Sequence, residues 1–372
     1  MRFARPPGKV NLDNRLGNPE AVASAARRAT RANGADTPGV DGVRLSTLSV
    51  AQQQHLAAEV ESRLRRGYSP APLRSIYRRN GGRVRCFKVP VATDSVVLRL
   101  LLAGMQPAIA AQLAPNNYAR LGMGQLVAVD DVARAIEAAA ELTDSGVHVV
   151  KADIAKYFDS IAHGQLEQLI RSRFYGRRSI RLIKAFLRQG QFKAGRGIAQ
   201  GAPLSPLLAN WYLNEVDWYF HRRETIFYAR FVDDIVIAVP GSIDRAIANL
   251  HELERQVHRL GLKLNGSKTA ITPATEGVDF LGFKLQLGAQ GVEVTPDERS
   301  IARLKKRLDE VPEDGNTTVN LHAAKAVWAA YFSEVAPQAW AIGDQLVANE
   351  LAARLLRQPV AKTPAKGTEG TR

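Results

Sequence analysis

Two adjacent carboxylates, Asp233 and Asp234, stand in the middle of a run of β-prone apolar residues, Thr225 to Val239. Ionised carboxylates removed from water must be paired, hydrogen-bonded or bound to a cation. The flanking segments 226–231 and 235–239 have strand length and are rich in β-branched and aromatic residues, whereas Asp-Asp is typical of turns. We therefore predict a β-hairpin with the pair at its tip. It is either half of a cation site or an acidic turn that keeps the hairpin soluble.

A second carboxylate follows another apolar segment. Val147 to Ala152 has the pattern of a strand, so Asp153 is predicted at the end of that strand. A helical pattern then runs from about Ser160 to Arg173, and Asp159 is placed to cap it. We interpret Asp153 as functional and Asp159 as structural.

The net charge indicates the kind of partner. The 372 residues include 51 Lys and Arg against 36 Asp and Glu, a formal charge of +15. The excess is spread along the chain, which suits a long channel that follows phosphates better than one local patch. We expect nucleic-acid binding, with general solubility charge as the alternative. The basic clusters are Arg27 to Arg31, Arg63 to Arg85, Arg171 to Arg188 and Arg303 to Arg307.

Cysteine content and hydropathy exclude other classes. Cys86 is the only cysteine, so a disulfide framework and a multi-cysteine zinc site are excluded and an intracellular protein is expected. No run approaches about 18 apolar residues, and the N-terminus lacks a hydrophobic signal core, so neither membrane insertion nor secretion is expected. The tail from Gln358 is predicted to be disordered.

Helical periodicity predicts the framework around the acids. Asn18 and Pro19 open one helix as N-cap and first-turn proline, and this helix ends near Ala32. A basic β-hairpin is predicted around residues 80–82, and a short strand at 278–283. The other predicted helices are 50–66, 94–113, 127–143, 207–222, 243–260, 297–312 and 319–356.

A glycine turn precedes the helix at 207–222. Ser205 suits the N-cap of that helix and Pro206 its first position. Gln200 and Gly201 lie just upstream, where a residue without a side chain allows the backbone to approach a ligand or base pair closely. An ordinary glycine turn is the alternative interpretation.

Five motifs follow one another along the chain: Asp153 with Phe158, the turn from Gln200-Gly201 to Ser205-Pro206, Phe231-Val232-Asp233-Asp234, Gly261 to Lys268, and Phe280 to Phe283. In this order they resemble the palm motifs of reverse transcriptases. Asn33 to Gly42, which includes Pro38-Gly-Val-Asp-Gly42, also resembles the N-terminal extension of the group II intron-type bacterial enzymes, and Tyr77 to Asp94 resembles their fingers region. The resemblance covers roughly residues 30–340.

The resemblance implies an α+β right-hand polymerase in the cytoplasm of a prokaryote. No endonuclease with Cys and His ligands is recognisable, so mobility by self-made DNA nicks is not expected. The implied domains are an N-terminal helical segment at 1–30, fingers with the N-terminal extension at 31–145, a palm with an antiparallel sheet at 146–290, a helical thumb at 291–357 and a disordered tail at 358–372.

The resemblance also implies an RNA-directed DNA polymerase that uses two Mg²⁺ ions, replaceable by Mn²⁺, about 4 Å apart. Asp153 and Asp233 are the implied metal ligands, and Asp234 completes the acidic set. The backbone carbonyl of Ile154 would also reach a metal. Lys268 would protonate the departing pyrophosphate.

Other motif residues are implied to contact the substrates. Phe158 would lie beneath the incoming sugar and exclude a ribose 2′-hydroxyl, with a core aromatic as the alternative. Gln200 and Gly201 would line the nascent pair and template. The fingers arginines Arg78, Arg83 and Arg85 would hold the triphosphate or template phosphates. The implied partners are an RNA template, a nucleic-acid primer, deoxynucleoside triphosphates, and a structured noncoding RNA or an accessory protein, but no membrane.

A role in phage defence or in a retroelement is expected. An intron-splicing RNA-binding protein of the maturase type and an RNA-directed RNA polymerase are the alternatives. The intact acids argue against a protein that has lost polymerisation, because an inactive scaffold has no physical need for clustered carboxylates. Val232 departs from the family pattern, which commonly has alanine there, and we expect it to alter fidelity or nucleotide handling.

Overall fold

The computed structural model describes residues 8–80 and 83–357. These residues form two compact units, one of 8–128 with 138–273 and the other of 129–137 with 274–357. The predicted disordered tail at 358–372 and the hairpin tip at 81–82 lie outside the described residues. No helix in the described ranges is long and apolar enough to cross a bilayer. The division into fingers, palm and thumb stays a prediction.

The N-terminal part of the chain is mainly helical and carries the basic hairpin. Its elements are β1 (Val10–Asn11), α1 (Asp13–Leu16), α2 (Pro19–Thr30), α3 (Val50–Arg66), β2 (Arg74–Asn80), β3 (Arg83–Val89), α4 (Ala92–Ala110) and α5 (Gln125–Glu141). Helix α2 begins as the sequence predicts, because the Asn18 side chain accepts a hydrogen bond from the Ala21 N–H at 3.0 Å. Asp41, in the segment that resembles the N-terminal extension, accepts the Ala92 N–H at 2.7 Å and so satisfies the start of α4.

A four-stranded antiparallel sheet forms the centre of the first unit. The elements of this part are β4 (Val147–Asp153), α6 (Tyr157–Ser160), α7 (His163–Arg173), β5 (Phe174–Tyr175), α8 (Arg177–Gly190), α9 (Ser205–Tyr212), α10 (Asn214–His221), β6 (Phe227–Phe231), β7 (Asp234–Pro240), α11 (Ile243–Arg259) and β8 (Ala270–Pro273). The strand order is β6-β7-β4-β8. Residues 235–240 of β7 are all buried, which explains why this strand has a continuous apolar sequence rather than an alternating one.

The prediction that Asp159 caps a helix is wrong. Asp159 lies inside the short helix α6, and α7 begins only at His163 without a side-chain cap. The helix predicted from Ser160 is interrupted because residues 161 and 162 pair with the segment at 196–197, where the Gly197 N–H donates to the Ile161 carbonyl at 2.8 Å. The competing backbone pairing is not visible in the local pattern.

The prediction that Ser205 is an N-cap is wrong by one residue. Leu204 occupies the capping position, and Ser205 is the buried first residue of α9. The Ser205 N–H donates to the Ala202 carbonyl at 3.1 Å, so the preceding turn already leads into the helix. The helix predicted at 207–222 is in fact two helices, α9 and α10, which meet at Leu213.

In the second unit, residues 129–137 belong to α5, and residues 274–357 form a small sheet and three helices. Their elements are β9 (Val278–Phe280), β10 (Phe283–Gly288), β11 (Gly291–Pro296), α12 (Glu298–Asp309), α13 (Thr317–Phe332) and α14 (Ala339–Arg357). The strand predicted at 278–283 is two strands joined by a turn in which Leu281 and Gly282 have positive φ. The helix predicted at 319–356 is interrupted at 333–338, a segment that contains Pro337, which lacks the N–H that a continuing helix needs.

Candidate active site

The end of β4 and the β6–β7 hairpin bring three carboxylates together. Asp153, the last residue of β4, pairs in register with Asp234, the first residue of β7. Asp234 also pairs with Phe231 of β6, so Val232 and Asp233 form a two-residue turn. The predicted tip, Asp233-Asp234, is therefore displaced by one residue. Asp153 is 5% exposed, and Asp233 and Asp234 are half-buried.

The turn itself has an unfavourable backbone conformation. Val232 has φ +59°, a left-handed value that a β-branched residue rarely adopts. Its carbonyl accepts a hydrogen bond from Nη1 of Arg230 at 2.7 Å. The surrounding structure thus holds the turn in a shape that its own sequence does not favour.

Asp153 is held from both of its carboxylate oxygens. Asn265 Nδ2 donates to Oδ2 at 3.1 Å, and Lys268 Nζ forms an ion pair with Oδ1. The Asn265 N–H also donates to the Asp153 carbonyl at 2.7 Å, and the Ile154 N–H to the Asp233 carbonyl at 3.3 Å. Asn265 precedes a short 3-10 turn, Gly266–Lys268, and Lys268 ends it, which places both side chains beside the end of β4.

Negative charge accumulates at this end of the sheet. Burial, together with the neighbouring charges of Asp234 and Asp153, raises the pKa of Asp233 to about 6 against the opposing charge of Lys268. A raised pKa means that the ionised carboxylate is less stable here than in water. The positive charge at the site therefore does not balance the negative charge of the three carboxylates.

The donor atoms of the site suit a hard divalent cation. Among residues 8–80 and 83–357 no group of three or more His, Cys, Asp or Glu side chains is spaced to hold a metal ion. The cluster nevertheless offers carboxylate oxygens, which Mg²⁺ prefers over nitrogen or sulfur ligands. The raised pKa of Asp233 indicates that an added cation would relieve repulsion between these groups.

Phe158 and the glycine turn lie next to each other. Phe158 is half-buried against the hydrophobic core, and its ring meets that of Tyr157 edge-on at 5.7 Å between centroids. Its carbonyl accepts the Ile198 N–H at 2.9 Å, which fixes the segment that leads into Gln200 and Gly201.

The basic hairpin β2–β3 contacts this turn. The Lys88 N–H of β3 donates to the Gln200 carbonyl at 2.7 Å. Gly201 has φ +100°, and a Cβ there would lie 3.3 Å from the Lys88 carbonyl oxygen. The close approach that the sequence predicts at Gly201 is thus made, in this structure, by the backbone of the hairpin.

The predicted fingers arginines lie on the same hairpin, away from its contact with the turn. Arg78 and Arg85 are exposed and stand opposite each other in the register, while Arg83 stands opposite Asn80. Arg85 is three residues from Lys88, about 10 Å along the strand. Like charges placed directly opposite are destabilising, so this pair favours an anionic partner.

Sequence reasoning missed a buried ion pair that supports the β6–β7 hairpin. Arg230 and Asp217 are both fully buried, and the guanidinium reaches the carboxylate through Nε at 2.7 Å and Nη2 at 2.5 Å. The Tyr228 hydroxyl also donates to Asp217 at 2.9 Å. The signal in the sequence was Arg230 itself, because an arginine inside the apolar run before Asp233 and Asp234 needs a buried partner. The pair fixes the guanidinium that supports the Val232 carbonyl.

Comparison with known proteins places this site in a family. The family model described as reverse transcriptase (RNA-dependent DNA polymerase) matches residues 87–285, more than half of the chain. The chain belongs to the reverse transcriptase family. It is therefore an RNA-directed DNA polymerase with a mixed α+β fold, and the matched span contains Asp153, Asp233, Asp234 and Lys268. Reverse transcriptases generally depend on Mg²⁺ and copy an RNA template.

Individual relatives of this reverse transcriptase include proteins encoded in introns. Protein YkfC of Escherichia coli is 29% identical over 311 residues, covering 72% of this chain and 80% of that protein. The group II intron-encoded protein LtrA of Lactococcus lactis is 23% identical over 298 residues, covering 60% of this chain and 48% of LtrA. A putative COX1/OXI3 intron 2 protein of Saccharomyces cerevisiae is 23% identical, covering 43% of this chain and 25% of that protein.

Among solved structures, an apo telomerase from Candida tropicalis overlaps with a TM-score of 0.46 at 13% identity. The overlap covers 65% of this chain and 59% of the telomerase chain.

Proposed function

We propose that Asp153, Asp233 and Asp234 are the catalytic centre at which this reverse transcriptase joins deoxynucleotides to a primer on an RNA template. The observation that carries the proposal is the strand register. It places Asp153 opposite Asp234, with Asp233 on the adjoining turn, so acids from two distant segments meet at one end of the sheet. Structural stability does not require such a cluster, because burial and the repulsion between the carboxylates raise the pKa of Asp233 to about 6.

Asp153, Asp233, Asp234 and the main-chain carbonyl of Ile154 are the groups that we propose hold two Mg²⁺ ions, with Mn²⁺ as a substitute. When bound, the ions supply the charge that stabilises the attacking 3′-hydroxyl and the departing pyrophosphate. Asn265 keeps one oxygen of Asp153 oriented, independently of Lys268. The carboxylate therefore retains its direction even when the lysine turns to another partner.

Lys268 is the proposed proton donor to pyrophosphate. In this structure its ammonium group offsets the charge of Asp153. A triphosphate at the site would compete for the same ammonium group, because phosphate oxygens are strong acceptors of charge-assisted hydrogen bonds. Lys268 would then lie beside the leaving group whose developing charge a proton neutralises.

Substrate contacts are proposed for the residues joined to the glycine turn. Gln200 and Gly201 would line the nascent base pair. The exposed guanidinium groups of Arg78 and Arg85, together with Arg83 on the same strand, would bind triphosphate or template phosphates. A role in phage defence or in a retroelement is part of the proposal, and the intron-encoded relatives support the second.

Primer extension on an RNA template tests the proposed function. We expect Mg²⁺-dependent DNA product from deoxynucleotides and much less product from ribonucleotides. RNA product at an equal rate from ribonucleotides would instead identify an RNA-directed RNA polymerase. Tight RNA binding without any product would favour a maturase-type RNA-binding protein.

Phe158→Ala is expected to increase ribonucleotide use about tenfold or more, as the ratio of kcat/KM for ribo- over deoxynucleotide. The expectation follows because a gain or loss of one small apolar group in a binding pocket changes substrate discrimination by about 10- to 200-fold. The matched control is Phe192→Ala, which removes a ring that is 64% exposed. Unchanged selectivity in a normally folded Phe158→Ala protein would identify Phe158 as a core aromatic.

A further inference from the structure

A strongly basic groove lies on the first unit, outside the elements that carry the carboxylates. Its volume is about 680 Å³, and it is formed by residue 9, the end of α7, β5 and one face of α8. Six basic side chains line it, and they are Lys9, Arg171, Arg177, Arg181, Lys184 and Arg188. None of them belongs to β4, β7 or the turn between β6 and β7.

The cations of α8 form one continuous stripe. Arg177, Arg181, Lys184 and Arg188 follow one another at intervals of four, three and four residues, the spacing of neighbours on one helical face. At about 1.5 Å per residue the stripe is about 16 Å long. The opposite face of α8 is buried through Leu182, Ile183 and Phe186, so the helix cannot rotate to disperse these charges.

Little acidic charge offsets the stripe. Lys184 pairs with Glu167 at 2.8 Å. Asp13 accepts the N–H groups of Arg178 and Ser179 at 3.2 and 2.8 Å and so serves the start of α8. Arg177, Arg181 and Arg188 are exposed. Like charges at these spacings repel one another, so the arrangement favours a bound polyanion.

An aromatic ring at the groove indicates which polyanion fits. Tyr175 of β5 lines the groove and is 50% exposed, although its neighbour Phe174 is buried. Strand β5 pairs in parallel with β1, which fixes the position of Tyr175 beside the stripe. A basic track with an exposed aromatic ring is the combination that binds single-stranded nucleic acid, since bases stack on the ring while phosphates follow the cations.

We propose that this groove binds a single-stranded segment of RNA outside the catalytic centre, with phosphates on Arg177, Arg181 and Arg188 and a base stacked on Tyr175. The proposal depends on the proposed function only in taking RNA as the nucleic acid. The segment would be a part of the template, or of an associated RNA, that the carboxylate site does not hold. Such a contact would increase RNA affinity without entering the chemistry.

Binding measured without nucleotides tests the groove independently of polymerisation. The probe is a fluorescent 20-nucleotide oligouridylate, and the full-length variant is Arg177→Gln/Arg181→Gln/Arg188→Gln. We expect Kd at 0.1 M salt to rise about tenfold or more, and the slope of log Kd against log salt to fall by about 2, since each lost phosphate contact contributes about 0.7. The control Arg44→Gln/Arg222→Gln/Arg259→Gln removes the same charge from exposed positions outside the four basic clusters, and should bind as the wild type does.

Tyr175 provides a second measurement that does not depend on charge. Tyr175→Ala should weaken binding about fivefold or more and abolish photocrosslinking of 4-thiouridine RNA to the peptide 171–188, while Tyr175→Phe retains both. Equal binding by the groove and control variants, or crosslinks only outside this peptide, would overturn the proposal. An equal loss on single-stranded DNA, or equal displacement by polyglutamate, would overturn the assignment to RNA. If the wild-type protein binds RNA at the groove but synthesises no DNA, that result counts against the proposed function and not against the groove.

Discussion

Asp233→Asn is expected to lower the rate of DNA synthesis about a thousandfold while leaving the metal-free protein at least as stable as the wild type. The activity falls because a cation ligand worth several kcal/mol of charge stabilisation is lost, and each 1.36 kcal/mol is about tenfold in rate. The stability does not fall because the amide removes a charge that burial, Asp234 and Asp153 disfavour. Single-nucleotide incorporation and thermal unfolding in EDTA measure the two effects.

The stability difference should depend on pH with a definite sign. The pKa of Asp233 rises from 3.8 to about 6 on folding, so the folded state binds this proton more tightly than the unfolded state does. The destabilisation of the wild type is therefore absent below about pH 4, grows between pH 4 and 6, and is complete above pH 6. The advantage of Asp233→Asn in unfolding temperature should follow the same course.

Asp244→Asn is the matched control, since it removes an exposed aspartate of α11. It should retain full activity. A stable Asp233→Asn protein that synthesises DNA at the wild-type rate would remove Asp233 from the catalytic centre. Equal losses of stability and activity would mean that the side chain acts in folding.

Arg230→Met and Asp217→Asn are each expected to destabilise the protein by about 3–5 kcal/mol, because each leaves an uncompensated charge or half of a buried pair. The double variant Arg230→Met/Asp217→Leu should recover much of this stability, since neither charge remains. It should not recover DNA synthesis. The carbonyl of Val232 would still lack its donor, and the turn that carries Asp233 would lose its support.

The double variant thus separates positioning from folding. Urea unfolding gives the stability of all three proteins, and kcat with KM for the deoxynucleotide gives their activity. We expect kcat to fall in the double variant more than KM rises, because the displaced group is a catalytic carboxylate. Recovery of both stability and kcat would show that Arg230 serves only the core.

Local sequence signals anticipated the elements that local chemistry controls. The N-cap at Asn18 and the bounds of α3 follow from side-chain capping and apolar spacing, and both agree with the structure. The end of β4 at Asp153 was likewise visible, because a carboxylate after an apolar strand marks a boundary. The comparisons also confirm the predicted reverse transcriptase family and its RNA-directed DNA polymerase activity.

Features that depend on distant segments were not anticipated. Asp159 fails as a cap because residues 161–162 pair with 196–197. The turn lies one residue early because Asp234 pairs with both Asp153 and Phe231, which draws it into the strand. The Lys268 ion pair and the Arg230–Asp217 pair join residues 115 and 13 positions apart, and neither spacing carries a helical or strand period.

The most direct test of the catalytic centre is single-turnover incorporation of one deoxynucleotide into a primer annealed to RNA. It compares the wild type, Asp153→Asn and Asp244→Asn in Mg²⁺ at matched RNA occupancy. The carboxylate cluster predicts rapid incorporation by the wild type and Asp244→Asn, and a loss of about a thousandfold in Asp153→Asn despite normal RNA binding. Incorporation by Asp153→Asn at the wild-type rate would contradict the account.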